Sequence, residues 1–138
     1  MKGNESMCQK LALVLLVAAL WPGAAAAHHA FTSEFDVKQP VTLVGEIVRV
    51  EWVNPHGWIH IKVKGAGGAD ETWAIETGTP NALMRRGVTR QILKPGIPIT
   101  LEGFRAKDGS KKANGMSLKL ADGRSLFLAS GAPGAPKP

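Results

Sequence analysis

The sequence predicts a mainly β fold: a small OB-like antiparallel barrel of five to six strands, with one short helix between strands three and four. Three observations lead there. Residues 41–64 and 97–128 carry β-branched and apolar residues in strand-like runs, cut by turns rich in Gly, Pro, Asn and Asp. That pattern breaks once, at Thr79-Pro80, where a helix-start signal stands. The folded part spans about 100 residues, enough for one domain with its own core. A small antiparallel roll shares this element order and is the alternative.

The elements follow in order. Residues 28–40 form a polar lead with two aromatic anchors, Phe31 and Phe35. Pro40 then opens a long strand, 41–53, in which Val41, Leu43, Gly45 and Ile47 share one face. Near Arg49 the alternation changes phase and Val48, Val50 and Trp52 take over; a bulge or strong coiling explains such a shift. Asn54-Pro55-His56-Gly57 is a turn by composition. Residues 58–64 are the cleanest half-buried strand, with Ile59, Ile61 and Val63 on one face and Trp58, His60, Lys62 and Lys64 on the other. Residues 65–70 make a hairpin loop, and 71–77 a third strand with Trp73 and Ile75 aligned. The helix covers 80–86, with Thr79 as N-cap, Pro80 at its first position and Gly87 ending it. A second short turn spans 89–93. Residues 97–105 resume strand character, and 114–120 and 124–128 form a last hairpin around Asp122-Gly123.

Domain organisation is set by the N-terminus. Lys2 and Lys10 precede an apolar run, Leu11 to Leu20, which Pro22-Gly23 interrupts before four alanines. This is the pattern of a cleaved secretory signal. The run is about half the roughly 20 residues a spanning helix needs. The expected division is a signal peptide over 1–27, one barrel domain over 28–130 and a disordered Gly/Ala/Pro tail over 131–138. Cleavage falls after Ala26 or after Ala27. The expected location is periplasmic or secreted, in a bacterium, with no membrane span after processing. Cys8, the chain's one cysteine, leaves with the signal, so disulfides, zinc–thiolate sites and a cysteine nucleophile are excluded from the mature chain. Without Lys2, Lys10 and Glu5, the 17 basic and 11 acidic residues fall to 15 and 10, a net charge of +5. The positive charge is dispersed, and no nucleic-acid partner is expected.

Several motifs stand together in a fixed order: His28-His29-Ala30-Phe31, Phe35-Asp36, Glu51-Trp52-x-Asn54-Pro55-His56, Trp73-x-Ile75-Glu76, and Pro80-Asn81-x-Leu83-x-Arg85-Arg86-Gly87. Leu93-Lys94-Pro95-Gly96, Asp108-Gly109-Ser110 and Leu120-Ala121-Asp122-Gly123-Arg124 continue the series. In this the chain resembles a secreted bacterial family catalogued as domain of unknown function 6152. The resemblance covers nearly all of the mature chain and departs locally at Gly57 and Val88, where the family more often has an apolar residue and Trp. It implies export and a single small domain, and no activity, cofactor or catalytic residue.

The sharpest functional signal is histidine placement. Of four histidines, His28 and His29 fall at or beside the mature α-amino group. A cut after Ala26 makes His29 the third residue, so that the amine, two deprotonated amides and its imidazole form a square-planar set suited to Cu(II) or Ni(II). A cut after Ala27 makes His28 first; its amine and imidazole chelate copper, completed by His56 or His60. The metal-ligand candidates are therefore His28, His29, His60 and His56, with Cu(II) as the implied cofactor. Adventitious chelation by an N-terminal histidine, with His56 bonded within its turn and His60 solvated, is the competing account.

A second reading is metal-free. Strands two and three carry the usual ligand face of an OB barrel, and there Trp58, Lys62, Arg49 and Trp52 form an aromatic and basic set for a protein, glycan or anionic small ligand. Alternatively the tryptophans close the barrel. The partner on either reading is an unidentified periplasmic protein or a small ligand. Lys111-Lys112 reads as solvated charge, and Arg85-Arg86 as a surface ion pair with Glu76 the nearest acid. The chain is not expected to be an enzyme: no serine sits in a nucleophile elbow, no glycine-rich phosphate loop is present, and nothing places the acidic pairs Glu34/Asp36 and Glu46/Glu51 around a cleft.

Overall fold

The computed structural model describes residues 31–128. The signal, the cut sites, His28 and His29, and the Gly/Ala/Pro tail lie outside the described residues. Residues 31–34 are a helical turn. The elements then run β1 (Phe35–Glu51), β2 (Trp58–Lys64), β3 (Asp70–Glu76), α1 (Pro80–Arg85), β4 (Pro98–Ala106), β5 (Lys112–Leu120) and β6 (Ser125–Phe127).

The strands hydrogen-bond in the order β3-β2-β1-β4-β5-β6, and a further β3–β5 pairing closes the first five into a ring. That pairing is parallel; the others are antiparallel. A closed five-stranded ring with a helix between β3 and β4 is the OB-like arrangement the sequence predicts. Closure leaves one long strand to serve two neighbours: β1 pairs with β4 through Phe35–Glu46 and with β2 through Gly45–Glu51. At the shared point, Gly45, a Cβ would collide with the Lys62 carbonyl oxygen. Gly103 on β4 has the same role against the Asn114 carbonyl of β5.

The phase change in β1 is a bulge between Ile47 and Arg49. Val48 is the extra residue and is 46% exposed, so it does not turn inward as the sequence suggests; the bulge spends it and hands the inner face to Val50. The strand also starts at Phe35 rather than at Val41, because the polar run Asp36–Pro40 still follows β4 through a second register shift. Pro40, opposite Phe104, opens the regular run that follows this shift.

Inside the ring, Ile47, Ile61, Ile75, Leu101 and Leu118 are essentially fully buried. One end is plugged by the segment after β3. Thr79 Oγ1 accepts from Ala82 N at 3.2 Å, Pro80 takes the first turn, and Leu83 is 1% exposed. Gly87, at φ +80°, reverses the chain so that Val88 and Leu93 also enter the core. A separate apolar cluster lies on the outer wall: Phe31 and Phe35 with Ala106, packed on Phe104 and Met116. The Phe31 ring stands edge-on to Phe104 at 6.2 Å.

Candidate functional site

Cross-strand register decides which side chains share the barrel's outer face. Trp58 is opposite Glu51 on one side and Glu76 on the other, and Glu76 is opposite Asn114, itself opposite Phe104. One row therefore reads Glu51, Trp58, Glu76, Asn114, Phe104 across five strands. The next reads Arg49, His60, Ala74, Lys112. Adjacent strands lie about 4.8 Å apart, so the middle of the two rows, on β2 and β3, makes one face, while their ends wrap round the ring.

His56 is brought to this face by its turn. Gly57 N donates to Gly78 O at 3.1 Å and Thr77 N donates to Gly57 O at 2.9 Å, which fastens the β1–β2 turn to the end of β3. Gly57 is confined there: a Cβ would lie 2.9 Å from Thr77 Oγ1. The result sets His56 Nδ1 directly against Glu76 Oε1. The Glu76 side chain is 8% exposed, whereas that of His56 is 41% exposed. Burial pushes the Glu76 carboxyl above the usual glutamate value and the nearby Glu34 charge adds to this, while His56 and a hydrogen bond from Asn114 pull it down. A buried carboxylate thus holds Nδ1 of a ring that is itself partly exposed. Metal-binding histidines are oriented in this way, by a carboxylate on the nitrogen that does not ligate.

His60 is held differently. Its Nε2 lies 2.8 Å from Glu51 Oε1 and 3.2 Å from Arg49 Nη2, and Arg49 is itself 2.7 Å from the same Glu51 oxygen. Its side chain is only 18% exposed, so it is not the solvated histidine one reading expected. Trp58, half-buried, stands between the two His–Glu pairs. Arg49 and Trp58 therefore share the face, and Lys62, exposed, lies one row further along β2 opposite Thr72. Trp52 does not join them: past the bulge it packs against the core, with the Arg90 guanidinium 5.0 Å from its ring centre. Trp73 is in the core, 6% exposed.

The N-terminal lead docks beside this face. Phe31 seats on Phe104, Lys107 N donates to Glu34 O at 2.9 Å, and Lys112 Nζ lies 2.8 Å from Glu34 Oε1. The Glu34 hydrogen bond raises the Lys112 pKa above the ordinary lysine value. Lys111 pairs with Glu71 at 2.6 Å. Neither lysine is the solvated charge the sequence suggests, because β5 runs parallel to β3 and brings both against acids distant in the chain. Glu76 pairs with His56, and Arg86 lies over Phe127, 5.3 Å from its ring centre.

Sequence reasoning missed Glu76 and Glu51 as histidine partners. The signal for Glu76 was present: once Lys64 faces Asp70 across the hairpin, the register carries Glu76 opposite Trp58. Among the described residues no three His, Cys, Asp or Glu side chains are grouped to hold a metal ion, and no helix is long and apolar enough to cross a membrane.

Residues 15–116 match the model of a family described as a family of unknown function, DUF6152. The chain belongs to that family. No curated protein and no solved structure matches it.

Proposed function

We propose that this family member is an exported bacterial copper-binding protein, which acts by binding rather than catalysis and is localised to the periplasm or secreted. The observation that carries the reading is His56: a buried glutamate holds its Nδ1 while the side chain stays 41% exposed, on the face beside which Phe31 docks the lead. Phe104, on which Phe31 sits, is two strand positions from Glu76, about 10 Å at ordinary strand spacing. His29 is two residues from Phe31 and His28 three, so chain length limits their Cα atoms to about 7 and 10 Å from that anchor. Chain length therefore does not keep His28 or His29 from reaching His56.

With cleavage after Ala27, the amine and imidazole of His28 and the Nε2 of His56 supply three nitrogens for Cu(II). With cleavage after Ala26, the amine, two amides and His29 fill a square-planar set and leave His56 without an equatorial role. His60, whose Nε2 is already engaged by Glu51 and Arg49, is the weaker fourth candidate. The test is a Cu(II) titration of the exported protein, after intact-mass determination of its N-terminus, beside a methionine-initiated form and the His28→Ala, His29→Ala and His56→Ala variants. One-to-one binding that fails in the methionine-initiated form and weakens at least tenfold in His56→Ala is expected. Equal affinity across all five proteins would remove the proposal.

One observation favours a metal-free reading as well. Trp58 is half-exposed at the centre of the face, beside an Arg49–Glu51–His60 network that is already hydrogen-bonded. With Lys62 further along, that surface suits a sugar-like or anionic ligand on a periplasmic partner. Trp58→Ala should then abolish capture of such a ligand while copper binding persists.

A further inference from the structure

The plug that closes one end of the barrel carries an unusual charge balance. Between Glu76 and Glu102 the chain has no acidic residue, yet it has Arg85, Arg86, Arg90 and Lys94. All four belong to the segment that plugs this end of the barrel. Pro80, Leu83, Val88 and Leu93 are buried and Ile92 packs against the core, which leaves the charged side chains of segment 79–96 on the outside of the plug. Arg85, Arg90 and Lys94 are exposed, and no ion pair joins them to a carboxylate among the described residues. Glu51, at the end of β1, is bonded to Arg49 and His60 instead.

Apolar and aromatic groups are interleaved with these cations. Met84 is 47% exposed and Val53 46% exposed. Two guanidiniums lie over half-buried rings at this end, Arg90 on Trp52 at 5.0 Å and Arg86 on Phe127 at 5.3 Å. Cations with long aliphatic stems, flat aromatics and isolated apolar side chains are the residue types that settle at a headgroup boundary.

We infer that this basic cap, segment 79–96 with Trp52 and Val53, is a docking surface for an anionic lipid bilayer. Charge complementarity selects a polyanion. The exposed Met84 and Val53 favour a bilayer over a nucleic acid or acidic polymer, since a membrane boundary buries apolar side chains beside cations and a soluble polyanion offers them nothing. The cap borders the His56–Glu76 face, because Gly57 and Gly78 are hydrogen-bonded between them, but none of its cations takes part in the copper reading, so lipid docking does not depend on that reading.

The test is co-sedimentation of the processed protein with vesicles of phosphatidylglycerol mixed into phosphatidylcholine, and with vesicles of phosphatidylcholine alone. Binding to the anionic vesicles only, lost as salt is raised, is expected. Each cation near an anionic surface is worth roughly fivefold in partitioning, so Arg85→Gln with Lys94→Gln should weaken binding about 25-fold. Both side chains are exposed, and an unchanged melting temperature will show that the double variant is folded. Equal vesicle binding by the double variant overturns the inference. So does binding to heparin without binding to anionic vesicles, which would assign the cap to a soluble polyanion.

Discussion

Glu76 points to the outside of the barrel and is nevertheless buried, between Trp58 and Asn114 in register and with His56 bonded to it. Its pKa is raised above the ordinary 4.5, first by that burial and then by Glu34. Folding therefore favours the protonated carboxyl. This contribution is full below the unfolded value and is lost as pH rises through the raised one, with His56 limiting the loss. Glu76→Gln keeps the shape without the charge, so its stability relative to wild type should improve as pH rises from 4.5 towards neutrality. Urea denaturation at several pH values checks this; a pH-independent difference would speak against a buried, raised carboxyl. The same variant leaves His56 less firmly oriented and should weaken Cu(II) binding about 10- to 100-fold, the usual effect of removing an outer carboxylate. Most residue identities at the site were legible. His56, His60 and Trp58 stood out by type and by strand phase. Their carboxylate partners did not, because each lies across a strand pairing that the sequence expresses only through register.

At the scale of elements, β2 and α1 were readable to within a residue. β2 alternates cleanly, and Thr79-Pro80 is a strong local start signal, as the Thr79 Oγ1 bond to Ala82 N shows. Thr79→Ala should cost about 1 kcal/mol, a fall in melting temperature of about 4–8 °C for a domain of this size. β1 was the element read least well, since Asp36–Pro40 looks like a polar loop and is held in the sheet by β4. The helical turn at 31–34 gave no periodic signal; it exists because Phe31 finds Phe104 and Glu34 finds Lys112. Phe31→Ala should cost about 3 kcal/mol, and it should also release the lead and lower Cu(II) affinity. Chemical denaturation and a copper titration on the folded variant separate the two effects. Loss of stability with unchanged copper affinity would mean that the lead does not deliver the N-terminus.

At the scale of the molecule, the closed ring turns two distant parts of the chain into neighbours. The β3–β5 pairing puts Glu76 beside Asn114 and Ala74 beside Lys112, and through Lys112 it ties the N-terminal lead to the face that holds His56. The barrel and its helix position followed from element order; this juxtaposition did not, because parallel pairing between segments nearly 40 residues apart leaves no local trace. Closure also requires Gly103 where β4 meets Asn114. Gly103→Ala should destabilise by about 1–3 kcal/mol without altering the copper stoichiometry of the folded fraction. On the proposed function, the barrel supplies His56 to a copper site begun by the processed N-terminus. The most direct measurement is the Cu(II) electron paramagnetic resonance spectrum, with its nitrogen hyperfine couplings, of the processed wild type and of His56→Ala. Loss of one imidazole nitrogen from the copper ligands in the variant is the predicted result; identical spectra from the two proteins would contradict it.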